Sequence, residues 1–316
     1  MQYKIQPWTH QLKAIEIAST LPNYALFFEM GAGKTGTLIN IFRAKCNQRA
    51  RILKTLVFCP PIVIKNWKDE FLKHSNINPD KVVLLTGPGR DRLKKFEKHK
   101  DEPHVFVTNY ESLLMEPLFN AFCKWQAEMV VYDESHKLKD YKAKRSKLAH
   151  ALANPINSVK PMTFLLSGSP VLNSPMDLFH QYKIMDGGKT FGDNFFAFRG
   201  RYFYDKNAGM PRDKHFPKWL PLPGALDEIN KRMLASAMRV EKKDCLDLPP
   251  MVYQTIKVDM SPEQRTMYES MRKDLIALKE DRASVAQLAI NKALRLQQIA
   301  SGFVKLVGYD EVALAK

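Results

Sequence analysis

The 316-residue chain is 45% hydrophobic and 10% aromatic, enough for a real core, and its length suits two domains. Its net charge of +16 points to an anionic partner, nucleic acid first, although a merely soluble basic protein has the same balance. No apolar stretch approaches the roughly 18 residues of a membrane span, the N-terminus Met1–Trp8 has no signal-peptide core, and Cys46, Cys59, Cys123 and Cys245 are too scattered for a zinc site or disulfide frame, so no membrane role and a cytoplasmic location are expected.

In chain order, the apolar run Tyr24–Phe28 leads through Gly31-Ala32-Gly33-Lys34-Thr35 to the helix-like run Leu38–Phe42. Strand, glycine loop and helix together form the context of a phosphate site. Glycines let backbone N–H groups close around phosphate oxygens, and the helix adds the positive end of its dipole. Lys34 would reach the β- and γ-phosphates, and the Thr35 hydroxyl would hold Mg²⁺. Phe28 stands where such loops usually carry their first glycine, so a plain glycine turn is the alternative at this point.

Apolar and amphipathic runs then alternate. Leu56–Cys59 precedes a helix pattern over Ile62–Lys73, and Val82–Leu85 precedes the basic pattern Arg90–Lys100. Val105–Thr108 precedes Ser112–Trp125, Met129–Tyr132 precedes the basic stretch Lys137–Lys147, and Met162–Leu166 ends in Ser167-Gly168-Ser169-Pro170. The alternation predicts an α/β fold with a central parallel sheet and helices on both faces. After Tyr132 come two adjacent carboxylates. At the carboxyl end of a buried strand, Asp133 would hold Mg²⁺ through water, and Glu134 would orient and deprotonate an attacking water. The competing reading is an acidic cap on the next helix.

From about 186 to 224 glycine, proline and aromatics crowd together, which reads as an irregular insertion packed on the first lobe. Leu248-Pro249-Pro250 reads as a linker, followed by an alternating strand (Val252–Val258) and helices over Pro262–Lys279 and Ser284–Ile299. The division expected is a first lobe over 1–245, and a linker plus the start of a second over 246–316.

These motifs together resemble the Swi/Snf-like branch of the superfamily-two helicases, from about Trp8 to Phe303. Gln11, within Pro7–Gln11, looks like the family's adenine-contacting glutamine. Glu29–Thr35 is similar to its motif I. Cys59-Pro60-Pro61 with Asn66-Trp67 and Glu70-Phe71 resembles motif Ia, and Thr108–Glu111 resembles motif Ib. Asp133–Lys139 resembles motif II, with Ser135 where alanine is common. Ser167–Pro170 followed by Asn173 resembles motif III, with Ser169 where threonine is usual. Arg239, Lys243-Asp244, Leu248-Pro249-Pro250 and Ser261-Pro262-Glu263-Gln264 resemble the branch-specific bridge to the second lobe.

The resemblance implies two RecA-like P-loop lobes with ATP and Mg²⁺ between them, and an ATP-hydrolysing motor on double-stranded DNA. The nucleotide residues implied are Gln11, Met30, Gly31, Ala32, Gly33, Lys34, Thr35 and Gly36, with Thr35 and Asp133 at the metal and Glu134 as base. His136, Ser167 and Ser169 would couple the ATP site to the partner lobe. Pro61, Lys65, Thr108, Asn109 and Asn173 would contact the DNA backbone without reading sequence. Arg295 is the last arginine, so the family's arginine-finger motif is missing. The expectation is an amino-terminal piece of a longer, monomeric motor, weak in turnover by itself, because such a finger is worth roughly 10³–10⁵ in rate. Compact lobes suggest a bacterial or viral source, with a cytoplasmic location in the bacterial cell; a eukaryotic source would make it nuclear. A nucleotide-gated DNA-binding module without turnover and the motor subunit of a restriction system are the alternatives.

Overall fold

The computed structural model describes residues 3–102, 104–171, 174–211, 215–245, 257–280, 285–304 and 312–313. The chain forms two compact units, Met1–Leu248 and Pro249–Lys316.

In the first unit, α1 (Thr9–Thr20), β1 (Asn23–Phe28), α2 (Lys34–Gln48), β2 (Thr55–Cys59), α3 (Ile64–His74), β3 (Val82–Leu84) and α4 (Gly89–His99) come first. They are followed by β4 (Val105–Asn109), α5 (Glu116–Trp125), β5 (Met129–Asp133), α6 (Lys144–Ala153), β6 (Met162–Leu166) and α7 (Asp177–Asp186). Then come α8 (Phe195–Tyr202), β7 (Phe203–Asp205), β8 (Trp219–Pro221), α9 (Ala225–Leu234) and β9 (Ala237–Val240). Seven strands form one sheet in the order β3-β4-β2-β5-β6-β1-β9, and every neighbouring pair is parallel. The α/β architecture read from the sequence is therefore the one observed.

Side chains alternate between two buried faces, as the period of a strand requires. Tyr24, Leu26 and Phe28 of β1 pack with Ile15 of α1, Leu38 and Ile41 of α2, and Trp67 and Phe71 of α3. Ala25 and Phe27 point the other way, into a layer built by α4 to α9. Burial on both faces explains why these strands read as continuous apolar runs.

The region expected to be an irregular insertion is more regular than its composition suggests. It contains α7's end, α8 and an antiparallel β7–β8 hairpin, and Phe191, Phe198, Tyr202 and Phe203 are buried with the second layer. The helix expected from Ser112 begins only at Glu116, after a 3₁₀ turn over Tyr110–Leu114. Pro117 in its first turn suits that start, since proline there loses no helical N–H bond. β9 was not anticipated. Its four residues give too short a pattern, and its pairing with β1 is what makes it a strand.

The second unit contains α10 (Pro262–Glu280), α11 (Val285–Ala300), β10 (Phe303–Val304) and β11 (Val312–Ala313). The strand expected at Val252–Val258 lies mostly outside the described residues. Ser261 and Gln264 form a reciprocal cap. The Ser261 N–H donates to Gln264 Oε1 at 2.9 Å, and the Gln264 N–H donates to Ser261 Oγ at 3.2 Å. The Ser-Pro-Glu-Gln run is thus a capping box with proline at the first helical position. Gln264 Nε2 also donates to the Ile299 carbonyl at 3.3 Å, fastening α10 to α11.

Parallel strands bring their carboxyl ends to one edge of the sheet. The order β5-β6-β1-β9 sets the segments that follow Asp133, Leu166, Phe28 and Val240 side by side there. That is the crevice where open α/β sheets bind ligands.

Candidate functional site

The loop between β1 and α2 turns through left-handed backbone at Gly31 (φ 89°) and Gly33 (φ 78°), a conformation that costs a residue with a side chain roughly 1–2 kcal/mol. Gly33 caps α2, which begins at Lys34. A Cβ on Gly33 would lie 2.0 Å from Gln11 Nε2, so a larger residue there would push the Gln11 amide from its place. Gln11 itself is held at both ends of its amide. Nε2 donates to the Ala32 carbonyl at 3.3 Å, and Oε1 accepts from the Trp8 N–H at 2.9 Å. His10 Nε2 lies 3.0 Å from the same Ala32 carbonyl. Ala32 is buried and Met30 is exposed. Gly36 is buried under the His74 ring, so close packing of α2 on α3 already accounts for a glycine there. The half-exposed Thr35 hydroxyl has no hydrogen bond among the described residues.

Across one intervening strand, β5 delivers the carboxylate pair. Lys34 Nζ stands 3.5 Å from Glu134 Oε1. Asp133 is 5% exposed, and its oxygens accept from Trp67 Nε1 and from the Glu134 N–H, each at 3.0 Å. Burial, with a smaller push from the Glu134 charge, raises its pKa to about 6, against the pull of those bonds and of Lys34. Glu134 moves the opposite way. The bond to His136 and the nearby Lys34 hold its carboxyl below the ordinary range despite partial burial. Two adjacent acids are thus driven apart, one toward sharing a proton and the other toward staying ionised. Glu134 also has φ 52°, a left-handed backbone uncommon for a residue other than glycine. It turns the chain sharply at the strand end and separates the two carboxylates.

The expected coupling residues meet at this point. His136 Nδ1 lies 3.3 Å from Glu134 Oε2 and 3.2 Å from Ser167 Oγ. Ser167 is buried and accepts from the Ser169 N–H at 3.2 Å. Ser135 Oγ donates to Gln181 Oε1 at 2.8 Å, and Gln181 Nε2 donates to the Pro170 carbonyl at 2.8 Å. The turn after β5 and the turn after β6 are therefore one hydrogen-bonded assembly.

The residues expected to meet DNA divide. Pro61 and Lys65 are exposed at the start of α3. Thr108 and Asn109 are both buried. The Thr108 hydroxyl donates to the Leu85 carbonyl and lies 2.6 Å from Ser112 Oγ. Asn109 Oδ1 accepts from Arg92 at 2.6 Å and from Ser112 Oγ at 3.2 Å. The Thr108 hydroxyl and Asn109 Oδ1 brace their own turn, which leaves Asn109 Nδ2 without a hydrogen bond among the described residues. Asn173 lies outside the described residues.

Four participants escaped the sequence reading. Trp67 was legible as part of a motif, but not as the donor to Asp133. Tyr110 donates to the Asp133 carbonyl at 2.6 Å. Arg92, in a helix that looked like a solvated basic face, also donates from Nε to the Gly87 carbonyl at 2.7 Å and so links two loops. Lys242 reaches the phosphate loop from the far end of the unit. Its N–H donates to Glu29 Oε2 at 2.8 Å, and its Cε lies 3.6 Å from where a Cβ on Gly31 would stand. A pairing across such a sequence separation leaves no local signal.

Residues 10–302 match the SNF2-related domain. The chain belongs to the SNF2 family. It is thereby a helicase-like domain of the SNF2 ATPases, with the RecA-like fold of their cores. It is 27% identical over 279 residues to "Putative protein p41" of Acyrthosiphon pisum secondary endosymbiont phage 1, covering 87% of this chain and 59% of p41. It is 28% identical over 267 residues to TATA-binding protein-associated factor 172 of Homo sapiens, covering 78% of this chain but 13% of that protein. The SWI2/SNF2 ATPase core of Sulfolobus solfataricus, solved in complex with dsDNA, superposes with a TM-score of 0.59 at 21% identity, over 94% of this chain and 58% of that one. The SNF2 chain described here therefore spans less than two thirds of these relatives.

Proposed function

We propose that this chain forms the nucleotide-binding lobe of an ATP-hydrolysing motor that moves along duplex DNA. The observation that carries the reading is the meeting of Lys34 and Glu134 at 3.5 Å beside the buried Asp133. An amine on a glycine loop and a carboxylate pair on a strand end face one another across the same crevice. A binding module without turnover has no chemical use for the second carboxylate.

In this reading the backbone of Gly31–Lys34 and the α2 dipole hold the phosphates, Lys34 neutralises the β- and γ-phosphates, and Gln11 contacts the adenine. The unbonded Thr35 hydroxyl and the buried Asp133 carboxylate are hard oxygen donors of the kind Mg²⁺ takes, Asp133 acting through water. When bound, Mg²⁺ neutralises charge that develops on the phosphoryl oxygens. Glu134, held ionised, accepts the proton of the attacking water. His136 and Ser167 carry the state of Glu134 toward the turn after β6.

The net charge of +16 and the exposed Lys65 and Pro61 support DNA contact through phosphates, without sequence readout. The Sulfolobus solfataricus core, which shares this fold, was solved with dsDNA. Calorimetric titration with ATP and Mg²⁺ tests the nucleotide half. Saturable binding that Lys34→Ala abolishes is expected, and absence of binding at every accessible ATP concentration would overturn it. Duplex affinity should fall linearly on a log–log plot against salt and be indifferent to sequence. A single preferred sequence, bound equally at all salt concentrations, defeats the DNA half.

A further inference from the structure

A second cavity, of about 340 Å³, lies on the outer side of α6 and α7, where the chain enters α8. None of the residues assigned to the ATP site lines it. Its volume falls in the range of small-molecule pockets, roughly 300–1,000 Å³.

One group on its wall is unexplained by the fold. His180 is 6% exposed, and among the described residues neither ring nitrogen has a hydrogen-bond partner. A buried polar group left unbonded costs stability and calls for an explanation. The nearby Ser146 backbone favours the protonated ring without closing a bond, yet burial dominates and pushes the pKa down to about 4. His150 lies across from it, ring centroids 6.3 Å apart, and burial and Lys183 lower its pKa too. Both imidazoles are neutral near pH 7, and each offers one N–H donor and one lone pair.

The opening is built of rings and ammonium groups. Tyr141 and Phe195 are stacked, with centroids 4.4 Å apart and planes at 24°. Phe196 stands edge-on to Phe195 and is 59% exposed, with the Arg199 guanidinium 5.1 Å from its ring centroid. Lys147, Lys183, Asp193, Asn194 and Phe179 complete the lining, and Lys183 Nζ donates to the Asp193 carbonyl at 2.6 Å.

We infer that this cavity binds a nucleotide unit, its base stacked on the Tyr141–Phe195–Phe196 rings with its edge toward His150 and His180, and its phosphate against Lys147 and Lys183. Base edges carry donors and acceptors side by side, which paired neutral imidazoles match. A carboxylate side chain of an acidic peptide only accepts and leaves the imidazole lone pairs unused. Stacking on aromatic faces tolerates any base. The unit is either a free mononucleotide or one residue of a single strand.

The test is NMR of the imidazole protons of His150 and His180, with saturating ADP and Mg²⁺ present to occupy the phosphate loop. The probes are AMP and a short oligo-dT strand. These resonances report this cavity whether or not the phosphate loop binds ADP, so the two readings fail separately. Both signals should shift saturably. Lys147→Gln and Phe196→Ala, substitutions of exposed side chains that leave the core intact, should each weaken the response by about tenfold, as loss of one phosphate contact or one stacking face predicts. Tighter binding of the strand assigns the site to single-stranded nucleic acid, and equal affinity assigns it to a free mononucleotide. Unmoved signals with both probes, shifts that persist unchanged in both variants, or a response to an aromatic acidic peptide in place of nucleotides would each overturn the inference.

Discussion

Lys34 and Glu134 stand 3.5 Å apart, and the other oxygen of the same carboxylate faces His136 Nδ1 at 3.3 Å. Without nucleotide, the proposed base is therefore neutralised by the cation that the phosphates require. In the proposed mechanism an incoming triphosphate takes Lys34 for itself and releases one side of Glu134, which would couple activation of the base to arrival of the substrate.

Glu134→Gln follows directly. It removes the proton acceptor while keeping shape, and it frees Lys34. Turnover in the protein that carries this lobe should fall by about 10²–10⁴, the usual contribution of a general base, while ATP affinity holds or rises. Single-turnover hydrolysis and equilibrium binding measured side by side check both parts. Unchanged hydrolysis removes Glu134 from the mechanism.

Asp133 makes a pH-dependent prediction. Its folded-state pKa is raised from 3.8 to about 6, so between these values the folded chain binds the proton more tightly than the unfolded one. The stability it contributes is complete below pH 3.8 and is lost as pH rises through 6. Asp133→Asn removes that cost. Without Mg²⁺ or nucleotide, the variant should be more stable than the parent near pH 7 by about 1–2 kcal/mol, from ~1.36 kcal/mol per pKa unit less one weakened hydrogen bond. The advantage should vanish near pH 4. Denaturant melts at the two pH values decide it, and an advantage independent of pH contradicts the assignment.

Gly33→Ala meets two separate obstacles, the left-handed backbone and the Gln11 amide 2.0 Å away. Nucleotide binding should be lost, with destabilisation of about 1–2 kcal/mol from the backbone alone. Adding Gln11→Ala relieves the collision but not the backbone, so stability should recover in part. Full recovery in the double variant shows that the φ of Gly33 carries no cost.

Lys242 should matter to nucleotide binding even though it lies far from the loop in sequence. Its N–H is bonded to Glu29, and its side chain lies over Gly31. Lys242→Gln keeps the backbone bond and removes the charge, and ATP affinity should drop by about fivefold, a modest value for a partly screened cation. Glu29→Ala breaks the tether itself and should show the same loss together with a lower melting temperature. Equal affinities across parent and both variants refute this coupling.

Much of the site was legible because its chemistry is local. Gly31–Thr35 and Asp133–His136 each sit at the end of an apolar run, and each run is a strand whose neighbours in space follow from the parallel rule. The turn after β4, expected from the sequence to face DNA, was less legible. Thr108 and Asn109 look free in a string of letters, and only Arg92, Ser112 and the Leu85 carbonyl reveal that the Thr108 hydroxyl and Asn109 Oδ1 are already engaged.

Composition and spacing alone determined the layered architecture and placed the glycine turn and the acid pair at strand ends, because strand and helix periods and the φ demands of glycine act within a few residues. The tertiary structure alone decided that Trp67 bonds Asp133, that Lys242 reaches Glu29, that β9 closes the sheet beside β1, and that His180 is buried without a hydrogen-bond partner among the described residues. Each of these depends on which distant segments share an edge or a face of the sheet. That choice is made by burial summed over the whole core, to which no single stretch of sequence has access.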